Sequence, residues 1–367
     1  MTAAVPTSEP ALRTPSAAAA AWGSLWPLLV GIGIALAVHF TAPKLLNAYY
    51  ARLVLDVGIW MIMAVSLNIV NGMTGQFSIG HAGFMAVGGY AAGLVTYYVS
   101  LLLWKSTGVH GGFLGSGEWL FAMSCIVGGL VAAATGYVVG LPSLRLRGDY
   151  LAIVTLGFGE IVRVVLQQTN KTLGSWEAVQ NAGWKELIPP PVGGAIGFAG
   201  LPTYTNLFWV YLFLAVTVLA ALRLKKSSLG REMLSVREDE IAAQAMGVNI
   251  TRQKVRAFVL AAFFAGVGGS LYAHEIGVII SPRDAGFQRS FDLIIMAVLG
   301  GQGSVTGVML AASILTVLPE PLRDFNEYRL IVYALVLIVM MIVRPQGLFG
   351  AYEIWDYFPW RSKKETA

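Results

Sequence analysis

Apolar stretches of spanning length recur along this 367-residue chain, at about 24–42, 53–71, 78–103, 119–141, 149–168, 206–224 and 257–280. A helix needs roughly 20 residues to cross the hydrocarbon of a bilayer. In hydrocarbon a segment must also pair every backbone N–H and C=O within itself, so a chain of such segments folds as helices. The pattern dictates an all-α fold, a polytopic transmembrane helix bundle. Composition agrees: 56% of residues are hydrophobic and only 12% charged, about half the roughly 25% of a soluble domain. Soluble globular, disordered and fibrous classes are excluded.

The remaining totals narrow the class. The 42 glycines fit closely packed membrane helices. The net charge of +5 is spread without a run of five basic residues, which argues for membrane orientation and against nucleic acid. Cys125 stands alone in an apolar stretch, and His39, His81, His110 and His274 are scattered singly, so neither a disulfide framework nor a metal site is expected.

Two segments depart from simple spans. The run 288–320 is broken at Gly300, Gly301 and Gly303, so it either bends in the membrane or makes two short crossings around a Gly-rich turn. A last apolar run, 329–343, is stopped by Arg344-Pro345. Charge decides the count. The loop between the sixth and seventh spans holds Arg223, Lys225, Lys226, Arg231, Arg237, Arg252, Lys254 and Arg256, which places it in the cytoplasm. Arg344, Arg361, Lys363 and Lys364 place the C-terminal tail there too. Two ends on one side require an even number of crossings between them, so 288–320 counts as two. The total is about ten crossings, N-in and C-in; Lys44 and Arg52, in the first outside loop, run against the rule.

The expected organisation is a disordered tail over 1–22, not a removed signal, then a membrane domain over 23–348 and a cytoplasmic tail over 349–367. Within the membrane domain, 225–256 forms a cytoplasmic loop. The outside segment 169–205, with Trp176, Trp184 and Pro189 to Pro191, is long enough for a small cap.

Chemistry-bearing residues are few. Glu238 to Gly247 has helix-forming composition, with Ala242, Ala243 and Ala245 and a stop at Gly247. Arg237, Glu240 and Gln244 can share one face at i, i+3 and i+7. Such a helix either lies in a partner's groove as a rigid lever or is a solvated loop helix, and composition leaves both open. The segment Asn71 to Gly89 joins glycines to polar side chains: Gly75, Gln76, Ser78, Gly80 and His81. Broken helices of this kind line substrate paths in transporters, or the glycines serve close packing. A second Gly-Gln site, Gly301-Gln302, repeats the pattern in short form. Glu160 and Arg163 lie one turn apart in the fifth span, as a structural ion pair or, with Asp292, as coupling groups of an ion-driven secondary transporter. Asp56 and Glu275 fall near span ends. No nucleophile–base constellation, phosphate-binding loop or voltage-sensor repeat is present, so an enzyme or an ATPase on this chain is not expected.

The stretch "EIAAQAMG" at 240–247 looks like the E-x-A-A-x-x-x-G coupling signature of ABC-importer permeases. With "LNIVNGMTGQFSIGHAGFMAVGGYAAG" at 67–93 and "LRGDYLAIVTLGFGEIVRVV" at 146–165, the chain resembles, from about 53 to 348, the permease subunits of branched-chain amino acid ABC importers. The resemblance implies an ABC-importer permease fold without a catalytic site, in a bacterial inner membrane. It implies a related second permease subunit in a hetero-dimer, two cytoplasmic ATPase subunits holding ATP and Mg, and a periplasmic substrate-binding protein. Arg237, Glu238, Glu240, Ala243 and Gly247 would engage the ATPase. Branched-chain amino acids are the implied substrate, with urea or short amides next, since their importers use the same permease family. One departure stands out: where many members carry a Gly-Gly-Pro-Asn-Gly-like motif after the fifth span, this chain reads "NKTLGSWEAVQNAGW".

Overall fold

A computed structural model describes residues 17–143, 149–275, 279–321, 328, 331, 334–335, 338–339, 342–344 and 346–357. Among them the chain folds into thirteen α-helices. They are α1 (Ala17–Leu45), α2 (Ala48–Thr74), α3 (His81–Trp104), α4 (Ser116–Ser143), α5 (Asp149–Gln167), α6 (Trp176–Asn181), α7 (Trp184–Leu187), α8 (Leu207–Lys226), α9 (Ser228–Glu238), α10 (Glu240–Ala245), α11 (Ile250–Ala273), α12 (Phe287–Gly300) and α13 (Val305–Val317). Seven of these, α1 to α5, α8 and α11, are long and apolar enough to cross a membrane.

The helix ends follow local chemistry. The side chains of Asn47, Asn206 and Asn249 each accept a hydrogen bond from the backbone N–H three residues on, capping α2, α8 and α11. The Asn249 cap explains a difference from the expected boundary at 257: α11 starts at Ile250, so its first turns carry Arg252, Gln253 and Lys254 and stand beyond the apolar stretch. At the other end, α1 reaches back to Ala17 through an alanine run, ahead of the expected tail boundary at residue 22.

The helices α2 and α11 form the centre, buried over most of their length, with Met63, Met73, Phe84, Phe258 and Ala262 at the core. Around them α3, α4 and α11 touch backbone to backbone. A Cβ on Gly88 would fall 2.2 Å from Gly266 Cα, one on Gly269 would fall 1.9 Å from the Met85 carbonyl oxygen, and one on Gly128 would fall 2.4 Å from Ser270 Oγ. Without a hydrophobic drive between helices in lipid, such close approach supplies the packing.

The broken run resolves as two short helices around the turn 301–304. With 14 residues in α12 and 13 in α13, each reaches only about 20 Å, short of the roughly 30 Å hydrocarbon. Their crossing is tight: a Cβ on Gly300 would fall 2.3 Å from Val308 Cα. Past the run 329–343, which lies largely outside the described residues, the chain returns beside this turn, with Leu348 N donating to Leu299 O at 2.8 Å. The turn, residues 346–353 and α9–α10 therefore share one face, here the α10 face. The segment 169–205 lies at the opposite ends of the helices and carries α6, α7 and a turn of 3-10 helix at Gly194–Ile196. It is drawn together by Asn170, whose Nδ2 donates to the carbonyls of Lys185, Glu186 and Pro189.

The glycine contacts are testable. Gly269→Ala should lower the stability of the purified protein by about 1–3 kcal/mol through overpacking. Gly33→Ala, with nothing within 4 Å of its added Cβ, should leave the thermal midpoint unchanged or raised. Thermal unfolding in detergent separates the two.

Candidate functional site

The α10 face is built from the end of α8. Ser227 Oγ accepts from Gly230 N at 3.0 Å and turns the chain sharply, so that a Cβ on Gly230 would fall 1.9 Å from Leu224 O. Met233 and Val236 bury one side of α9. The chain then breaks at Asp239, with φ −155 and ψ 113, and Asp239 Oδ1 accepts from Ile241 N at 2.8 Å and Ala242 N at 3.0 Å to start α10. This corrects the single helix expected over Glu238 to Gly247. An acidic side chain that can cap its own successor competes with helix continuation.

The break separates residues that a continuous helix would put on one face. Arg237, the last basic residue of α9, turns inward, and its Nη1 donates to Gly72 O at 2.8 Å and Gln302 O at 3.3 Å. Glu238 is exposed, with its carboxylate 3.9 Å from Arg237 Nε. Glu240 faces its own chain: Oε1 accepts from Lys254 Nζ of α11 at 2.5 Å. Ala243 is buried. Gly247 closes α10 at φ +86 with open space around it, so the backbone conformation, not crowding, asks for glycine. What α10 presents outward is apolar, with Ile241 73% and Met246 84% exposed.

Both Gly-Gln sites meet Arg237. A Cβ on Gly75 (φ +68) would lie 3.1 Å from Arg237 Cγ, and one on Gly303 (φ +95) would lie 2.8 Å from Arg237 Nη1. Gly301 and Gln302 lie in the same turn, with Gly301 at φ +102 and packed on Gly350. Asn68, buried in α2, holds this turn, accepting from Gly303 N at 2.9 Å and donating to Ser304 O at 3.2 Å. Lys225 Nζ reaches Gly303 O at 2.7 Å, Ala351 O at 3.1 Å and Glu353 Oε1 at 2.7 Å. Glu353 in turn caps α13, accepting from Val305 N at 3.1 Å, Thr306 N at 3.0 Å and Thr306 Oγ1 at 2.7 Å. Burial alone would raise the Glu353 carboxyl, but the bonds from Lys225, Thr306 and Val305 outweigh it and hold the group below its usual range. A cavity of about 660 Å³ lies beside the turn, lined by Arg237, Gln302, Arg344 and residues 346–352.

Of the first Gly-rich segment, only 75–80 is non-helical, between the end of α2 and the start of α3, and it packs against α5 and α12. Gly80 lies against α5, where a Cβ would fall 2.1 Å from Thr155 O. Ile79 N donates to Thr155 Oγ1 at 3.0 Å, Ser78 N to Asn71 Oδ1 at 3.3 Å and Ala82 N to Ser290 Oγ at 3.2 Å. His81 Nε2 shares a 2.7 Å hydrogen bond with Ser66 Oγ, which sets the start of α3 beside Ser66. Gln76, Ser78 and His81 are buried, and among the described residues Asn71 Nδ2, Gln76 Nε2 and Ser78 Oγ find no partner.

Glu160 and Arg163 pair at 2.6 Å. Arg52, which ran against the charge rule, meets Glu275 at 2.9 Å, and Arg289 lies 3.6 Å from Asp284. Among the described residues no group of three or more His, Cys, Asp or Glu could hold a metal ion. Sequence reasoning missed Asn68, Lys225 and Glu353 as one unit. Asn68 could have been noticed as a polar residue inside an apolar run, whereas nothing local marks Glu353, whose partners lie 48 and 128 residues away.

The described residues form a bundle of membrane-length helices with two breaks and a short surface helix tied to both. The chain belongs to the family described as branched-chain amino acid transport system, permease component, whose model matches residues 49–343. It is 38% identical over 312 residues to the high-affinity branched-chain amino acid transport system permease protein LivM of Salmonella typhimurium, covering 79% of this chain and 67% of that one. To LivH of Escherichia coli, a permease protein of the same named system, it is 26% identical over 304 residues, covering 80% and 92%. A probable LivM of Methanocaldococcus jannaschii is 27% identical over 297 residues, covering 76% and 82%. No solved structure matches the chain. Family membership sets aside the ion-driven alternative.

The Glu353 clamp has a pH signature. Its carboxyl is held low in the fold, so its contribution is present above the unfolded value and is lost as pH falls through the folded one. Glu353→Ala should cost about 3 kcal/mol at neutral pH by removing the carboxylate that faces Lys225 and caps α13. That cost should shrink on acidification below the usual carboxylate range, as read by thermal unfolding across a pH series.

Proposed function

We propose that this chain is a permease subunit of an ATP-driven importer that moves branched-chain amino acids across a bacterial inner membrane by alternating access. The observation that carries the reading is the linkage at Arg237. A short helix, α10, exposes Ile241 and Met246, and Arg237, three residues before its start, is hydrogen-bonded to Gly72 and Gln302 beside the two helix breaks. Movement of α10 as a rigid body pulls on Gly72 and Gln302 through Asp239 and Arg237.

In this reading the α10 face is cytoplasmic and 225–256 docks on an ATPase pair that holds ATP and Mg. Ile241 and Met246 make the apolar contact, with Gln244 beside them. Glu240 and Ala243 position α10 on α11, Glu238 lies at the rim, and Gly247 ends the helix. The segment 169–205, with exposed Trp184, Ile188 and Ile196, faces a periplasmic substrate-binding protein. A second, related permease completes the channel, supported by the likeness of this chain to both LivM and LivH.

Gly75, Gln76, Ser78, Gly80 and His81, with Gly301 and Gln302, form the moving wall of the path. The unpartnered donors of Asn71, Gln76 and Ser78 favour a second arrangement of this wall, since buried unpaired donors cost free energy that a rearrangement or a bound ligand recovers.

Ile241→Asp and Met246→Asp should remove ATPase subunits from the purified complex, because a charge in an apolar anchor costs about 2 kcal/mol or more. Gly247→Val should do the same through strain. Leucine uptake should fall in parallel, while the thermal midpoint of the isolated chain holds for Ile241→Asp and Met246→Asp. Full ATPase retention in all three variants would remove α10 from the interface.

A further inference from the structure

The charges in the middle of the bundle have no place in the account above, and they lie on a face that is open. Arg289 sits over the Trp60 ring at 5.2 Å, and Trp60 is the thirteenth of 27 residues in α2, about 18 Å from its first residue. Glu160 and Arg163 reach a similar depth. Gly159 lies beside Gly80, next to the His81–Ser66 bond, and one to four residues of rise from there bring α5 to within about 6 Å of the middle of α2. At that depth Glu160 and Arg163 are 40% and 32% exposed and Arg289 is 37% exposed. Ionised groups facing lipid at mid-membrane are costly and rare, and such groups face a bundle interior or water.

A second observation lies on the same side. Extended backbone at 279–281 meets Phe198, with Phe198 N donating to Ile280 O at 2.8 Å. Both lie along the middle of α3: Tyr90 Oη donates to Ile280 O at 3.0 Å, and a Cβ on Gly93 would lie 3.3 Å from Phe198 Cδ1. Irregular backbone at membrane depth is tolerated where it is buried in protein or lines a cavity. The chain then leads through Gly286 into α12, whose N-cap has no side chain to offer. A Cβ on Gly286 would lie 3.7 Å from Arg163 Cδ and 3.8 Å from Glu160 Oε1. The start of α12, the Arg163 guanidinium and the Glu160 carboxylate thus converge at mid-membrane. Exposed Ile161 and Val164 of α5 and Phe287 and Phe291 of α12 stand around them.

We infer that the α5–α12 face is the substrate-contacting wall of the translocation path and that Glu160, Arg163 and the N-terminus of α12 form a subsite for a zwitterionic amino acid. The substrate carboxylate is drawn to Arg163 and the positive end of α12, as half-helix ends do for anionic groups at the midplane. Its ammonium is drawn to Glu160, and its branched side chain lies on Phe287 and Phe291. The Glu160–Arg163 pair closes on itself when the site is empty, so neither charge is left alone. The inference rests on the importer reading of the preceding subsection but places substrate contact on helix faces that the Gly-rich breaks do not include.

The test uses the whole importer in proteoliposomes, with single cysteines in place of Ile161, Val164 and, on the apolar α4 surface, Leu130; the native Cys125 is buried. The probe is sulfonatoethyl methanethiosulfonate, which is anionic and reacts from water. Ile161→Cys and Val164→Cys should react and be protected by leucine, while Leu130→Cys should not react. Arg163→Gln should raise the half-saturating leucine concentration about tenfold or more, the loss of one charge-assisted contact, with Arg163→Lys recovering part of it. If positions 161 and 164 are as unreactive as 130 in a complex that imports leucine, the face is not a water-lined wall and the inference falls. It also falls if they react but leucine gives no protection. If the unmodified complex does not import leucine, the substrate reading fails instead, and labelling without leucine still decides whether this face borders water.

Discussion

A helix that stops inside a membrane frees backbone N–H and C=O groups that no solvent can satisfy. This protein breaks its helices at 75–80 and 301–304, and the freed groups are met by side chains of neighbouring helices. Asn68 takes both ends of the Gly303–Ser304 peptide region. Thr155 and Ser290 receive the N–H groups of Ile79 and Ala82, and Glu353 caps α13 from the end of the described chain. Each of these bonds ties one element to another, so the pairing that makes the breaks possible also joins α2, α3, α5, α12, α13 and residue 353, and Lys225 adds α8.

Arg237 is where that set meets the surface. Its side chain reaches the last turn of α2 and the turn between α12 and α13, and its backbone leads through the Asp239 cap into α10. With Glu240 held by Lys254, α10 is braced at its first turn against α11 and cannot rotate freely. The apolar side chains it carries outward are therefore displayed on a firm mount, and a push on them has a short covalent and hydrogen-bonded route to both breaks. Coupling in a transporter requires an element with two arrangements whose balance both sites bias. The breaks carry glycines at positive φ at 75, 301 and 303, whereas the α3–α4–α11 core is packed glycine to backbone.

The membrane helices were legible because hydropathy reports the solvent each segment needs, and five of the seven long helices lie within about five residues of their apolar runs, while α1 starts seven residues early and α11 is displaced by seven. The Gly-rich break in 288–320 was equally legible, since the run forms two helices around the turn at 301–304; each is shorter than the hydrocarbon is thick. Two boundaries were hidden. The start of α11 lies outside the apolar run because an asparagine cap, not hydropathy, sets it. The break between α9 and α10 depends on whether Asp239 caps or continues a helix, a choice of small local energies that flanking tertiary contacts decide. The motif at 240–247 did not reveal that Glu240 is bonded to Lys254 and that Ala243 is buried. The Lys225–Glu353 clamp joins residues 128 positions apart, and periodicity carries no information at that range.

The central claim is that Arg237 transmits the motion of α10 to the helix breaks. Leucine imported per ATP hydrolysed, measured for Arg237→Gln in the reconstituted importer, tests it most directly. The account predicts that ATPase subunits stay bound and hydrolysis continues while import per ATP falls, because the link to Gly72 and Gln302 loses its charge and most of its donors. An unchanged ratio of leucine to ATP, with both rates retained or both lost together, would contradict it.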